Sequence, residues 1–164
     1  LKELFIGEVL VIDEIKIDYI PVHSRIIREY LKDGNIKIAN KLLGKEYKIY
    51  GHQIKGQGLG TKSFVPTINL KIEEFLLPQE GVYVTKTILD DKEFNSITFL
   101  GHRVTTDGSY AVETHIINED IKNSNYTTQI KFYEKLRDNK KFDSFEELKK
   151  QILNDIETTR IYFK

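Results

Sequence analysis

The chain contains no cysteine. Disulfides, thiolate catalysis and cysteine-held metals are therefore excluded. It contains no methionine and opens on Leu1, so the native polypeptide is expected to start elsewhere. An excess of either charge is also missing: 25 Lys and Arg balance 25 Asp and Glu, for a formal net charge of zero. No global field steers the chain toward nucleic acid or an anionic membrane, and no basic stripe marks an oligonucleotide-binding barrel. No apolar run is long enough to span a bilayer. No signal-peptide pattern is visible, so cytoplasm is the expected location. There is no internal repeat and no low-complexity segment. What is present is ordinary for a globular protein: 40% hydrophobic and 30% charged residues over 164 positions. That length suffices for one domain with a real core, or for one domain and a small appendage.

The most informative stretch is Gly51–Asn69. Gly51, Gly56, Gly58 and Gly60 fall within ten residues, and Lys62, Thr67 and Asn69 follow. Glycine admits positive φ and lets the backbone approach a ligand closely. Successive N–H groups in such a turn form a nest for anions. Lys62 can add a point charge for phosphate, or it is a solvated loop lysine. Thr67 and Asn69 carry neutral oxygens able to reach a hard cation such as Mg²⁺. Pro66 fixes its own φ and biases Val65 toward an extended conformation. The Gly-Lys-Ser/Thr ending of a Walker loop is absent, and no helical pattern follows to complete a dinucleotide fingerprint.

Two organisational patterns flank this stretch. Upstream, Leu4–Ile12 and Ile15–Ile20 read as short strands around Asp13-Glu14. A helix follows from Arg25, with Ser24 as N-cap and Gly34 as stop. A second helix, capped by Asn35, places Ile36, Ala39, Leu42 and Leu43 on one side and ends at Gly44. Downstream, Tyr47–Lys55, Val82–Leu89, Phe94–Leu100, Tyr110–Ile117 and Thr128–Tyr133 read as strands of an antiparallel sheet or barrel. Ser144–Tyr162 reads as a helix with a Ser144/Glu147 capping box. Its face of Phe145, Leu148, Ile152, Ile156 and Thr159 is expected to cover the barrel.

On the strand Tyr110–Ile117, Tyr110, Val112, Thr114 and Ile116 share one face. Ala111, Glu113, His115 and Ile117 share the other. Glu113 thus points away from the face assigned to the core. It reads either as a solvated strand carboxylate or as a base for a substrate hydroxyl. His23 and His52 have no partner at metal-ligand spacing, and no zinc site is expected.

Pro66-Thr67-Ile68-Asn69 after the glycines resembles the Pro-Thr-Ala-Asn signature of riboflavin kinases. The resemblance continues through Leu77-Pro78, Gly81-Val82-Tyr83 and Gly101-His102-Arg103. It then runs through Val112-Glu113-Thr114-His115-Ile116, Leu136-Arg137 and Lys141-Phe142-Asp143-Ser144. It spans about Tyr47 to Arg160, most of the chain. It implies a mainly β fold: a six-stranded antiparallel Greek-key barrel with a C-terminal helix. The implied activity is transfer of the γ-phosphate of ATP to the 5′-hydroxyl of riboflavin, giving FMN.

The roles implied by the resemblance fall on matching positions. Gly56, Gly58 and Gly60, with Lys62, would cover the ATP phosphates. Thr67 and Asn69 would hold Mg²⁺ and phosphate, and Glu113 would be the base. Gly101, His102 and Arg137 would lie by the flavin. From the residues alone, Arg137 could equally pair with Asp138 or Glu134. Three departures stand out: Phe64 for a glycine, Val104 for the proline of Gly-x-x-Pro-Thr, and Thr127 for the glycine after Tyr126. They motivate the alternative of a flavin- or nucleotide-binding module with weak or no kinase activity.

Residues 1–44 resemble the tail of the adenylyltransferase module of bacterial bifunctional riboflavin kinase/FAD synthetases. The match rests on Val22-His23-Ser24-Arg25-Ile26-Ile27-Arg28 and Ala39-Asn40-Lys41-Leu42-Leu43-Gly44. In that family a Ser-Ser-x-x-Ile-Arg motif helps hold ATP. Here Ser24, Ile27 and Arg28 match and His23 replaces a serine. The implied arrangement is a small α/β remnant over 1–44, then a kinase domain over 45–164. The partners expected are small-molecule substrates and a missing N-terminal module, with no nucleic acid and no membrane.

Overall fold

The alternating pattern after residue 45 closes into a barrel, and the two helices before it plug one part of its core. In the computed structural model of the protein, the described residues are 6–55, 65–105, 107–119 and 127–164. Two two-residue strands come first, β1 (Lys16–Ile17) and β2 (Ile20–Pro21), then helices α1 (Ser24–Lys32) and α2 (Ile36–Leu43). Six strands follow: β3 (Tyr47–Ile54), β4 (Ile68–Ile72), β5 (Gly81–Leu89), β6 (Lys92–His102), β7 (Tyr110–Ile116) and β8 (Thr127–Arg137). Helix α3 (Phe145–Tyr162) ends the fold. All barrel pairings are antiparallel, in the closed order β3-β4-β7-β6-β5-β8. The chain passes from β4 to β5 across β7 and β6, which is the expected Greek-key jump.

The inward faces build the core. Ile49, Ile68, Leu70, Tyr83, Leu100, Val112, Ile116, Ile130 and Phe132 form one buried cluster, and Leu31, Ile36 and Ala39 of the helical pair join it. Asn40 fastens that pair to the barrel: its amide donates to Phe132 O at 2.8 Å and its oxygen accepts from Tyr47 N at 2.7 Å. On the outward side, Val82, Ile97, Ile117 and Ile156 form a second cluster with Phe99, Leu136 and Ile152 against it. That cluster is where α3 lies on the barrel.

Within the apolar interior sits a ring of five hydroxyls. Thr85 bonds Ser96 and Thr98, each at 2.8 Å. Thr87 donates to Ser96 at 2.8 Å and bonds Thr114 at 3.0 Å, and Thr98 donates to Thr114 at 3.0 Å. All five side chains are fully buried. A hydroxyl has one proton to give and can accept others, so the five bonds close with each group donating once. That satisfies groups whose burial would otherwise be costly.

Several local expectations need correction. Residues 8–15 form no strand; the short pair is β1 and β2, turning at Asp18-Tyr19. Both turn residues have positive φ, 49° and 65°. His23, not Ser24, is the N-cap of α1, and Ser24 Oγ instead accepts from Arg28 at 3.3 Å. Asn35 occupies the N-cap of α2 without a side-chain bond, and Gly44 closes the helix in the left-handed region at φ 67°. Ser144 does cap α3, accepting from Glu147 N at 3.2 Å, but Glu147 reaches back to Asp143 N rather than to Ser144. Phe145 is 50% exposed, while Ile156 and Thr159 are buried as expected. Strand β4, absent from the sequence reading, carries Asn69. Its five residues (Ile68–Ile72) directly follow the Pro66-Thr67 step, too short to show a period.

Candidate active site

Strand alternation sets Glu113 outward, opposite to Val112 and Thr114, which are buried in the barrel. The register then defines its neighbours. Asn69 of β4 is its cross-strand partner on one side and Phe99 of β6 on the other. Phe99 faces Val82 of β5, and Val82 faces Arg137 of β8. One lateral row therefore runs Asn69, Glu113, Phe99, Val82, Arg137 around the outside of the barrel. The apolar middle of that row lies under α3; its polar ends are Asn69 with Glu113, and Arg137. Residues so paired lie within side-chain reach.

Arg103, just past the end of β6, closes the polar cluster at Glu113. Its Nε donates to Glu113 Oε1 at 2.6 Å and its Nη2 to Asn69 Oδ1 at 2.7 Å. Nη1 donates to Ser109 Oγ at 2.7 Å. The Glu113 and Arg103 side chains are 24% and 17% exposed, so this ion pair is shielded without being sealed from solvent. Charge-assisted bonds from a guanidinium fork are the strong kind.

One residue before Asn69, the entry of β4 is tied down as well. Ile68, the residue after Thr67, pairs with Thr114. His115 Nδ1 donates to Pro66 O at 2.9 Å. A carbonyl can only accept, so the bond fixes the proton on Nδ1. Burial pushes the His115 pKa below its ordinary value, more than the Pro66 bond raises it.

The remaining candidates lie at the rim formed by the end of β6 and the segment after β8. Gly101 has φ +141°, and a Cβ there would stand 2.7 Å from Glu80 Oε2, so only glycine fits without displacement. The close approach lets Glu80 accept from His102 N at 3.2 Å and pair with His102 Nδ1 at 2.8 Å. Burial tends to raise the Glu80 pKa, but the two His102 bonds outweigh it and hold the carboxyl below its usual range. Asn139 donates to His102 O at 2.7 Å and Phe142 N to Thr105 Oγ1 at 3.3 Å, docking one loop on the other.

Arg137 pairs with neither Glu134 nor the Asp138 carboxylate. It donates to Asp155 Oδ2 through Nε at 2.9 Å, with Nη2 at 2.8 Å, and to the Asp138 carbonyl at 3.1 Å. Asp155 comes from α3, so the pair clamps the helix to β8. Gly56, Gly58, Gly60, Lys62 and Phe64 lie outside the described residues. Val104 is 42% exposed, just past the end of β6.

Thus Asn69 and Glu113 are brought side by side, with Thr67 at the same strand entry. Gly101 and His102 immediately precede Arg103, and Arg137 is at the far end of the row. The residue that sequence reasoning left without a role is Arg103. Its signal was visible: an arginine at the exit of a strand, beside a break at Gly101. Its targets depended on register.

A family model described as riboflavin kinase (flavokinase) matches residues 43–163. Bifunctional riboflavin kinase/FMN adenylyltransferases match as well. That of Haemophilus influenzae is 35% identical over 87% of this chain and 47% of its own length. That of Escherichia coli K12 is 30% identical over 87% and 46%, and that of Listeria monocytogenes 28% over 95% and 51%. The chain therefore spans about half the length of the curated relatives it matches. A solved structure described as a macrolide-efflux protein from Streptococcus pneumoniae superposes with a TM-score of 0.87 at 30% identity, covering 97% of this chain and 53% of that one. The family model and the sequence relatives lead to one conclusion: the chain belongs to the riboflavin kinase family, which uses ATP and riboflavin.

Proposed function

We propose that this chain performs the phosphoryl transfer itself, with Glu113 as the base. The observation that carries the reading is the placement of Glu113. It is a carboxylate on the outer face of a central strand, beside Asn69 and fixed by Arg103. In the reaction, Glu113 takes the proton of the riboflavin 5′-hydroxyl. The hydroxyl oxygen forms a bond to the γ-phosphorus, the bond from that phosphorus to the β,γ-bridging oxygen breaks, and ADP leaves with the electron pair. Such a reaction asks a protein mainly for positioning and charge neutralisation. Arg103 engages Glu113 Oε1, which leaves Oε2 for the hydroxyl. The glycines at 56, 58 and 60, with Lys62, are proposed to cover the phosphates. Gly101, His102 and Arg137 are proposed to border the flavin, Arg137 through the face that its Asp155 bond holds still.

Thr67 and Asn69, expected to hold Mg²⁺, do not fit a resident ion as they stand. They offer two neutral oxygens, and Asn69 Oδ1 already accepts from a guanidinium at 2.7 Å. Among the described residues, no group of three His, Asp or Glu could hold a metal.

Residues 1–44 are proposed as the end of an adenylyltransferase module, making the whole protein bifunctional. Ile6, Leu10, Val11 and Ile12 are 70–105% exposed, as expected of a segment whose apolar side belongs against another part of a longer protein. Cytoplasmic location is part of the same reading; among the described residues no helix is long and apolar enough to cross a membrane.

The test is direct. The chain incubated with riboflavin, ATP and Mg²⁺ is expected to give FMN and ADP in equal amounts by chromatography. Riboflavin binding without FMN would reject transfer in favour of a binding module.

A further inference from the structure

The chemistry above uses Glu113 and gives Arg103 no step of its own, yet the side chains of Glu113 and Asn69 both end on it. Three elements supply its partners: Glu113 from β7, Asn69 from β4 and Ser109 from the intervening turn. The turn also holds the Arg103 backbone, through Arg103 N to Ser109 O at 2.9 Å and Gly108 N to Arg103 O at 3.1 Å. Ser109 is in turn fixed by Asp107 Oδ1, which accepts from its N at 3.2 Å and from its Oγ at 2.9 Å. A braced turn thus aims a planar fork at two candidate functional groups. A lysine ammonium, as a point charge, could not hold the same three directions.

This arrangement has two consequences of opposite sign. Glu113 is held through one oxygen, which sets the other in a defined direction for proton transfer; displacing such a group costs rate. Asn69 is engaged through its carbonyl oxygen, the atom a metal would need. A cation brought there would stand beside a guanidinium, against like charge.

We propose that Arg103 is a positioning residue that holds Glu113 for proton transfer and withholds Asn69 from an incoming metal–nucleotide until Nη2 is displaced. The proposal rests on the reading of Glu113 as the base.

The experiment compares Arg103→Met and Arg103→Lys with Glu113→Gln in the full chain. It measures calorimetric affinity for ADP with and without Mg²⁺, and kcat and KM for ATP. For Arg103→Met, kcat is expected to fall roughly 10–100-fold from loss of positioning. Its affinity for Mg-ADP should exceed that of the unaltered chain, an unchanged affinity overturning the withholding of Asn69, and its affinity for metal-free ADP should not gain. Arg103→Lys, with charge but no fork, should fall between in kcat. Affinity and kcat falling together would overturn the proposal and make Arg103 a phosphate contact or a structural residue. Unchanged values for both would overturn it too. If Arg103→Met does not fold, Arg103→Lys carries the comparison; failure of both to fold assigns Arg103 to stability and overturns it. Glu113→Gln separates the two readings. Slow turnover there with normal Arg103 variants sinks the Arg103 proposal alone. Normal turnover there sinks the base, and the Mg-ADP affinity of Arg103→Met still decides whether Asn69 is withheld.

Discussion

Strand β7 carries two polar clusters one residue apart and facing opposite ways. Thr114 points inward into a ring of five buried hydroxyls; Glu113 points outward into a charged group with Arg103 and Asn69. The inner cluster is neutral and fully buried, its five bonds closing on themselves. The outer one is charged and still reachable, with a quarter of the Glu113 side chain exposed. Both are satisfied, so satisfaction alone does not distinguish structure from chemistry. What separates them is access: the ring is sealed in the core, whereas the Glu113 carboxylate is partly exposed and held by Arg103 through one oxygen.

Four substitutions would break or sharpen that contrast. Glu113→Gln comes first: turnover should fall roughly 10²–10⁴-fold, the usual worth of a positioned base. Melting temperature and nucleotide affinity should hardly move, and unchanged turnover would remove Glu113 from the mechanism. Asp155→Ala is next. It leaves Arg137 partly buried without its partner, and breaking such a pair costs on the order of 3–5 kcal/mol when fully buried. Because Arg137 retains 20% exposure, the lower end is expected in urea unfolding. A loss below about 1 kcal/mol would show that the clamp on α3 is weak.

Thr98→Val tests the inner ring. It keeps shape but opens the ring at Thr85 and Thr114, so stability should drop by about 1–3 kcal/mol while kcat of the folded fraction holds. A kcat loss without a stability loss would erase the distinction between the two faces. The smallest effect is expected at His115. Its pKa is depressed in the folded state, so below the ordinary value of 6.5 the unfolded chain takes up a proton that the folded chain resists. Stability should therefore decline as pH falls from 6.5 toward the folded pKa and level off below it. His115→Gln should flatten that decline in melting curves across the same range; an unaltered slope would assign it to other groups.

The parts of the fold with long or regular patterns were legible from sequence. Strands β5 to β8 and helix α3 showed their periods, and the face assignment on Tyr110–Ile117 put Glu113 outward, as the structure has it. Short or strained elements were not. β4 is five residues long and has no room to show alternation. The turn at Asp18-Tyr19 uses positive φ in two non-glycine residues, which composition does not announce. The pairing of Arg137 with Asp155 joins residues 18 apart in sequence on different elements, and its nearer acidic neighbours were the natural but incorrect guess.

The candidate site divides in the same way. The motif order and the family resemblance marked Thr67, Asn69 and Glu113 as candidates, because local motif and strand period are one-dimensional properties. That Asn69 and Glu113 are direct neighbours, and that Arg103 binds both, came only with the barrel's closure. Strand register is set by the packing of all six inward faces at once, and no local stretch of chain contains that information.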